Sequence, residues 1–246
     1  MSDEGAGRSG RGPLNIRTQR LAIWSGVLFV VLFGIGMWPL AGFIPPPRAD
    51  DTPIEAVHLY TDHLDRVRAG VTLMMVSSGF FAPWGAMVAL QLRRIEGRFS
   101  PMAWTAIACT GANLVAIGLP EMIWLAASFR PERNPEITQA LNDLGWLPFI
   151  MFFPAAMVTA LAIAAAIFNG GEQSVFPRWV GYFNFWIAIA YLPSVMIPFF
   201  KHGPFSWHGI FEFWLAAVVF FAWVVVMTIA LFGAVRRQEE GLPVYA

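Results

Sequence analysis

Six apolar stretches, each long enough to cross a bilayer, constrain this 246-residue chain more than any other feature. They cover residues 21–44, 70–92, 103–129, 145–168, 179–200 and 210–235. A helix crossing the hydrocarbon core needs about 20 predominantly apolar residues, and each stretch meets that length. Lipid offers no partner to backbone N–H and C=O groups, so every such group must be bonded within its own segment, as in a helix. The alternating pattern of a membrane β-barrel is missing. Composition agrees: 57% of residues are hydrophobic and only 13% charged, against about 25% charged in soluble domains. The expected fold is all-α, a polytopic membrane protein whose six transmembrane helices form three hairpins.

Charge orients the spans. With six spans both termini share one side, and that side carries ten arginines, at 8, 11, 17, 20, 93, 94, 98, 178, 236 and 237. The other side carries five arginines and Lys201, the only lysine in the chain. The positive-inside rule then places both termini in the cytoplasm, in a cell (inner) membrane. Residues 1–20, polar, Gly-rich and basic, read as a disordered cytoplasmic tail, and residues 236–246 as a short C-terminal one. The first apolar run exceeds the 7–15 residues of a signal-peptide core, so it reads as an uncleaved first span. Trp38, Trp124, Trp146 and Trp207 fall near the outer boundary, with Trp104 and Trp179 near the inner one, the pattern of interfacial aromatic belts.

The outer connections contain structure of their own. In "DDTPIEAVHLYTDHLDRVR" Thr52 is placed as an N-cap, Pro53 as the first helical residue and Glu55 as the partner of a capping box. Ile54, Val57, Tyr60, Leu64 and Val67 recur at helical spacing. "RNPEITQALNDLG" repeats the theme with Asn134 as cap and Pro135 behind it. Short amphipathic helices are therefore expected in the first and third loops.

Polar side chains within lipid are expensive, so their positions carry most of the functional information. Glu121 lies inside the third span, where it should face the bundle and find a partner. Thr110, Asn113 and Glu121 share one helix face, and Pro120 frees the carbonyl of Ala116 from its usual bond. In the fifth span Asn184, Tyr191 and Ser194 share another face. Interhelical hydrogen bonds that only hold the bundle together are the plainer reading of such residues. The functional reading is an outward-facing polar pocket lined by Glu121, Asn113, Asn184, Tyr191, Lys201 and Glu212.

All four histidines fall on the outer side, and His208 and Glu212 stand one helical turn apart. Imidazole and carboxylate are ordinary ligands of zinc, copper and non-haem iron, so His202 and His208 are candidate ligands of a divalent metal cofactor. The third and fourth ligands of such a site are not evident. Cys109 is the only cysteine, which excludes an intrachain disulfide and multi-cysteine metal sites. A formal net charge of zero gives no reason to expect nucleic acid as a partner. No nucleotide-binding loop, metalloprotease or nucleophile-elbow motif occurs.

The expected function is that of a small-ligand-binding, permease-like or membrane-complex subunit. Its partners would be the lipid bilayer and further membrane subunits, in a homo-oligomer or a larger complex. The alternative is a membrane-embedded enzyme, metal-dependent or using Glu121 as an acid or base, that acts on a lipophilic substrate.

Overall fold

The computed structural model describes residues 15–171 and 174–241. Among these residues the chain is all-helical and forms no strand. Six helical stretches are long and apolar enough to cross a membrane: Ile16–Leu40, Leu64–Glu96, Pro101–Phe129, Pro135–Gly170, Arg178–Phe199 and Ile210–Glu239. The first residues of α1 (Ile16–Ile35) belong to the helix, with the Asn15 side chain accepting from the Thr18 N–H as its cap. Residues 16–20, expected in the tail, are therefore helical, and residues 1–14 lie outside the described residues. Arg20 and Glu239 form an ion pair across 2.6 Å, joining the start of the first span to the end of the last. We refer to that side of the bundle as the terminal end, and to the other as the far end.

Five of the six spans change helical geometry along their length, the third being the exception. The first passes from α1 into a π-helical turn, Gly36–Leu40, that contains Pro39. The second is α3 (Leu64–Ser78) followed by α4 (Phe81–Glu96), parted beside Gly79. The third, α5 (Pro101–Phe129), runs through Pro120. The fourth is α6 (Pro135–Met151) and α7 (Phe153–Gly170), parted at Phe152 between Pro148 and Pro154. The fifth is α8 (Arg178–Ala190), which tightens after Tyr191 into a 3₁₀ stretch, Leu192–Phe199, containing Pro193 and Pro198. The sixth opens with a π-helical turn, Ile210–Trp214, and continues as α9 (Leu215–Glu239). Proline removes a helical donor and crowds the preceding turn, which accounts for most of these breaks.

The first loop carries helix α2 (Pro53–Thr61), opened by the capping box of Thr52 and Glu55. The Tyr60 hydroxyl donates to Asn142 Oδ1 at 2.9 Å, docking α2 on α6. The third loop differs from expectation. Its helix does not stand apart but runs on from Pro135 as the first turns of α6. Gly145 and Trp146 bring no proline and no helix-ending conformation, so nothing stops the helix before Phe152.

Close contact between the first two spans depends on glycine. Gly36 faces the backbone of Gly70, leaving no room for a Cβ on either residue. This small-residue contact is the ordinary way for membrane helices to approach tightly. At the far end Phe43 packs edge to face on both Trp124 and Trp146, which are tilted against each other, with ring centroids 4.9–5.5 Å apart. Trp124 and Trp146 are thus fully buried, and Trp207 is buried with its Nε1–H donating to Pro47 O. These three are core residues, not belt residues, because aromatic partners and a carbonyl are available inside the bundle. Trp38, Trp104 and Trp179 are the ones that stay exposed.

Candidate functional site

A cavity of about 130 Å³ lies between the first, third, fourth, fifth and sixth spans. Its wall is mostly aromatic and aliphatic: Phe29, Phe33 and Met37 from the first span, Phe149 and Phe153 from the fourth, Phe213, Phe220 and Phe221 from the sixth. Three polar side chains join them, namely Asn113, Tyr191 and Glu212. The helix breaks meet here. Met37 sits in the first π-turn, Phe152 at the break in the fourth span, Tyr191 where α8 tightens, and Glu212 in the second π-turn. Irregular backbone at membrane depth is tolerated only where it is buried in protein or lines a cavity. Pro120 adds a freed carbonyl on Ala116, another residue of the wall.

The three polar groups of the wall lack hydrogen-bond partners among the described residues; outside the wall, Glu121 Oε2 and the indole N–H groups of Trp124 and Trp146 are also buried and unbonded. Glu212 is 0% exposed, and neither of its carboxyl oxygens has a hydrogen-bond partner among the described residues. The Ser194 hydroxyl adjoins the carboxyl without reaching hydrogen-bonding geometry. The buried Tyr191 hydroxyl is likewise unbonded, and the Asn113 amide makes no hydrogen bond to a described residue. Unmade hydrogen bonds in a protein interior cost about 1–3 kcal/mol each and are rare. Three around one cavity mark it as a place where something else supplies the partner.

The remaining sequence candidates are placed elsewhere. Glu121 is fully buried but turned to the second span, where Ser78 Oγ donates to its Oε1 at 2.9 Å. Asn184 holds α8 to α9: its Oδ1 accepts from Trp223 Nε1 at 2.8 Å, and its Nδ2 reaches Val180 O and Met227 Sδ. Lys201 is exposed on the far-end loop. The structure thus brings Asn113, Tyr191 and Glu212 together, and leaves Glu121, Asn184 and Lys201 outside the cavity wall.

His202 and His208 belong to the far-end surface. The exposed His202 Nδ1 lies 3.1 Å from Asp50, which Arg48 also binds. His208 Nδ1 accepts the Ala49 N–H at 3.0 Å, so that nitrogen carries no proton in this contact. With the Trp207–Pro47 bond, these contacts fasten the loop 201–209 onto the segment 44–52, whose Ile44 also lines the cavity. The Arg48 guanidinium holds the Asp50 carboxyl well below the usual carboxylate range, and burial lowers His208. No group of three or more metal-capable side chains converges among the described residues.

The phenylalanine wall had no signal in composition. Phe29, Phe33 and Met37 do recur every four residues, one helical face, which is the only sequence pattern that marks part of it.

Comparison with protein-family models gave no match, and comparisons with curated proteins and with solved structures likewise gave none. Fold and site alone define the class: an all-helical protein with six helices long and apolar enough to cross a membrane, fitting a multi-pass membrane protein. Within that bundle lies a largely apolar cavity with three unpaired polar groups.

Proposed function

We propose that the protein binds a small amphipathic molecule within the bundle, as a ligand-binding or permease-like membrane subunit. One observation carries this reading: Glu212, Tyr191 and Asn113, all buried and all without a hydrogen-bond partner among the described residues, line one cavity. A protein that used these groups only for bundle cohesion would pair them, as it pairs Asn184 with Trp223. The cavity is apolar over most of its wall, so the ligand is largely hydrocarbon with one polar end. The helix breaks at its edge are the positions where a span could bend to admit or release that ligand.

In this reading the spans pair as three hairpins in the cell membrane, with both termini cytoplasmic and the α2 side outward. The cavity then lies toward the outer leaflet, beneath the clasped loops 44–52 and 201–209.

Native mass spectrometry of the full chain, extracted from membranes, tests the proposal. The wild type should carry a small molecule at one per chain. Ala216→Phe, which fills the wall of the cavity, should not. No bound mass on the wild type, or the same added mass on both proteins, would refute ligand binding at this site.

A further inference from the structure

Resting on that reading, we propose that the polar end of the ligand is a cation: the cavity takes a lipophilic ammonium, an alkyl or arylalkyl amine in its protonated form. Among the described residues Glu212 is the only carboxylic acid in the wall, and no lysine, arginine or histidine lines the cavity. Four of the far-end arginines are engaged elsewhere. Arg48 binds Asp50, Arg66 the Pro39 carbonyl, Arg68 the Ser128 carbonyl and Arg133 the Ala126 carbonyl.

A carboxylate removed from water is costly unless a cation and hydrogen bonds reach it. An ammonium supplies both, as charge-assisted N–H···O bonds that are about twice as strong as neutral ones. Its remaining hydrogens have two further acceptors at hand, the Tyr191 hydroxyl and the Asn113 carbonyl oxygen. The phenylalanines fit the same ligand, since ring faces attract cations and ring bodies take up hydrocarbon. A carboxylate ligand would meet Glu212 as a like charge. A neutral alcohol would satisfy hydrogen bonds but leave the acid without a counter-ion. The cavity wall therefore discriminates by charge as well as by shape.

The test uses three compounds that share one phenylethyl body: 2-phenylethylamine, 2-phenylethanol and 3-phenylpropionate. Each is titrated calorimetrically at pH 7.5 against the full-length protein in lipid nanodiscs, with Ala216→Phe as the correction for bilayer partitioning. The amine should bind the wild type at least about tenfold more tightly than the alcohol, and the acid should not bind. Glu212→Gln should lose at least about tenfold for the amine and change the alcohol by less than about threefold, with an unchanged unfolding temperature. Glu212→Asp, which keeps the charge, should retain amine preference even if Glu212→Gln folds poorly. Equal binding of amine and alcohol, indifferent to Glu212→Gln, would overturn the cation assignment while leaving ligand binding intact. Binding of none of the three to the wild type would overturn both.

Discussion

Ser78 Oγ donates to Glu121 Oε1 across 2.9 Å, linking the break in the second span to the kinked third span. Both residues are buried, and the hydroxyl also reaches the Met74 carbonyl at 3.0 Å. This contact makes Glu121 a tie between helices. Glutamine keeps an acceptor there and leucine does not. Glu121→Gln should therefore cost less than about 1 kcal/mol of stability, and Glu121→Leu about 1–3 kcal/mol. Unfolding titrations in mixed micelles read both values. Cavity binding should stay within about twofold in Glu121→Gln, because separate sites act independently.

A second tie joins the first two spans. A Cβ on Gly70 would meet the Gly36 carbonyl oxygen and the Ala41 nitrogen, both backbone atoms that cannot rotate aside. Gly70→Ala should destabilise by about 1–3 kcal/mol through forced separation of the spans. Gly111→Ala, in open space within α5, should be neutral or stabilising by up to about 1 kcal/mol. The pair of unfolding temperatures separates close approach from simple helix propensity.

Asn184 and Trp223 form the corresponding contact between α8 and α9. Asn184→Leu orphans the Trp223 N–H, and the expected cost is about 0.6–2 kcal/mol. A double-mutant cycle with Trp223→Phe should return a coupling energy in that range. A coupling near zero would show that the bond contributes nothing to the bundle.

The loop clasp should respond to pH through His208. Its Nδ1 accepts the Ala49 N–H, and burial holds its pKa below the ordinary 6.5. The contribution is therefore present above about pH 6.5 and is lost as pH falls through the depressed folded value. The groups facing it are Asp50, Arg48, Asp51 and His202. Asp50, held low by Arg48, stays ionised throughout this window. In a His202→Gln background, amide exchange at Ala49 should accelerate between pH 7 and pH 5 beyond the intrinsic rate change. Adding His208→Gln should abolish that acceleration.

The spans were legible because apolar length is a local property that neighbours do not alter. Asn113, Tyr191 and Glu212 were legible for a related reason: a polar residue inside an apolar run stands out wherever it points. Direction was another matter. The π-turn at Ile210–Trp214 shifts the register of the sixth span, and the 3₁₀ stretch after Tyr191 shifts the fifth, so ideal helical spacing could not say which polar faces meet. Glu121 and Asn113 share a helix, yet only Asn113 reaches the cavity, because Ser78 on the second span captures Glu121. Phenylalanine carries no polar signal, so a ring facing a void and a ring facing lipid look alike in sequence. Trp124 and Trp146 show the same ambiguity: their positions fitted a membrane boundary, and their contacts are with one another.

The most direct measurement is an experimental density map of the full chain in lipid, resolved well enough to place side chains around Glu212. That map should show a non-protein feature bounded by the Glu212 carboxyl, the Tyr191 hydroxyl and the Asn113 amide, with its remainder against Phe29, Phe33 and Phe149. A map with Phe220 and Phe221 collapsed into that space, and Glu212 turned to another protein group, would contradict ligand binding at this site.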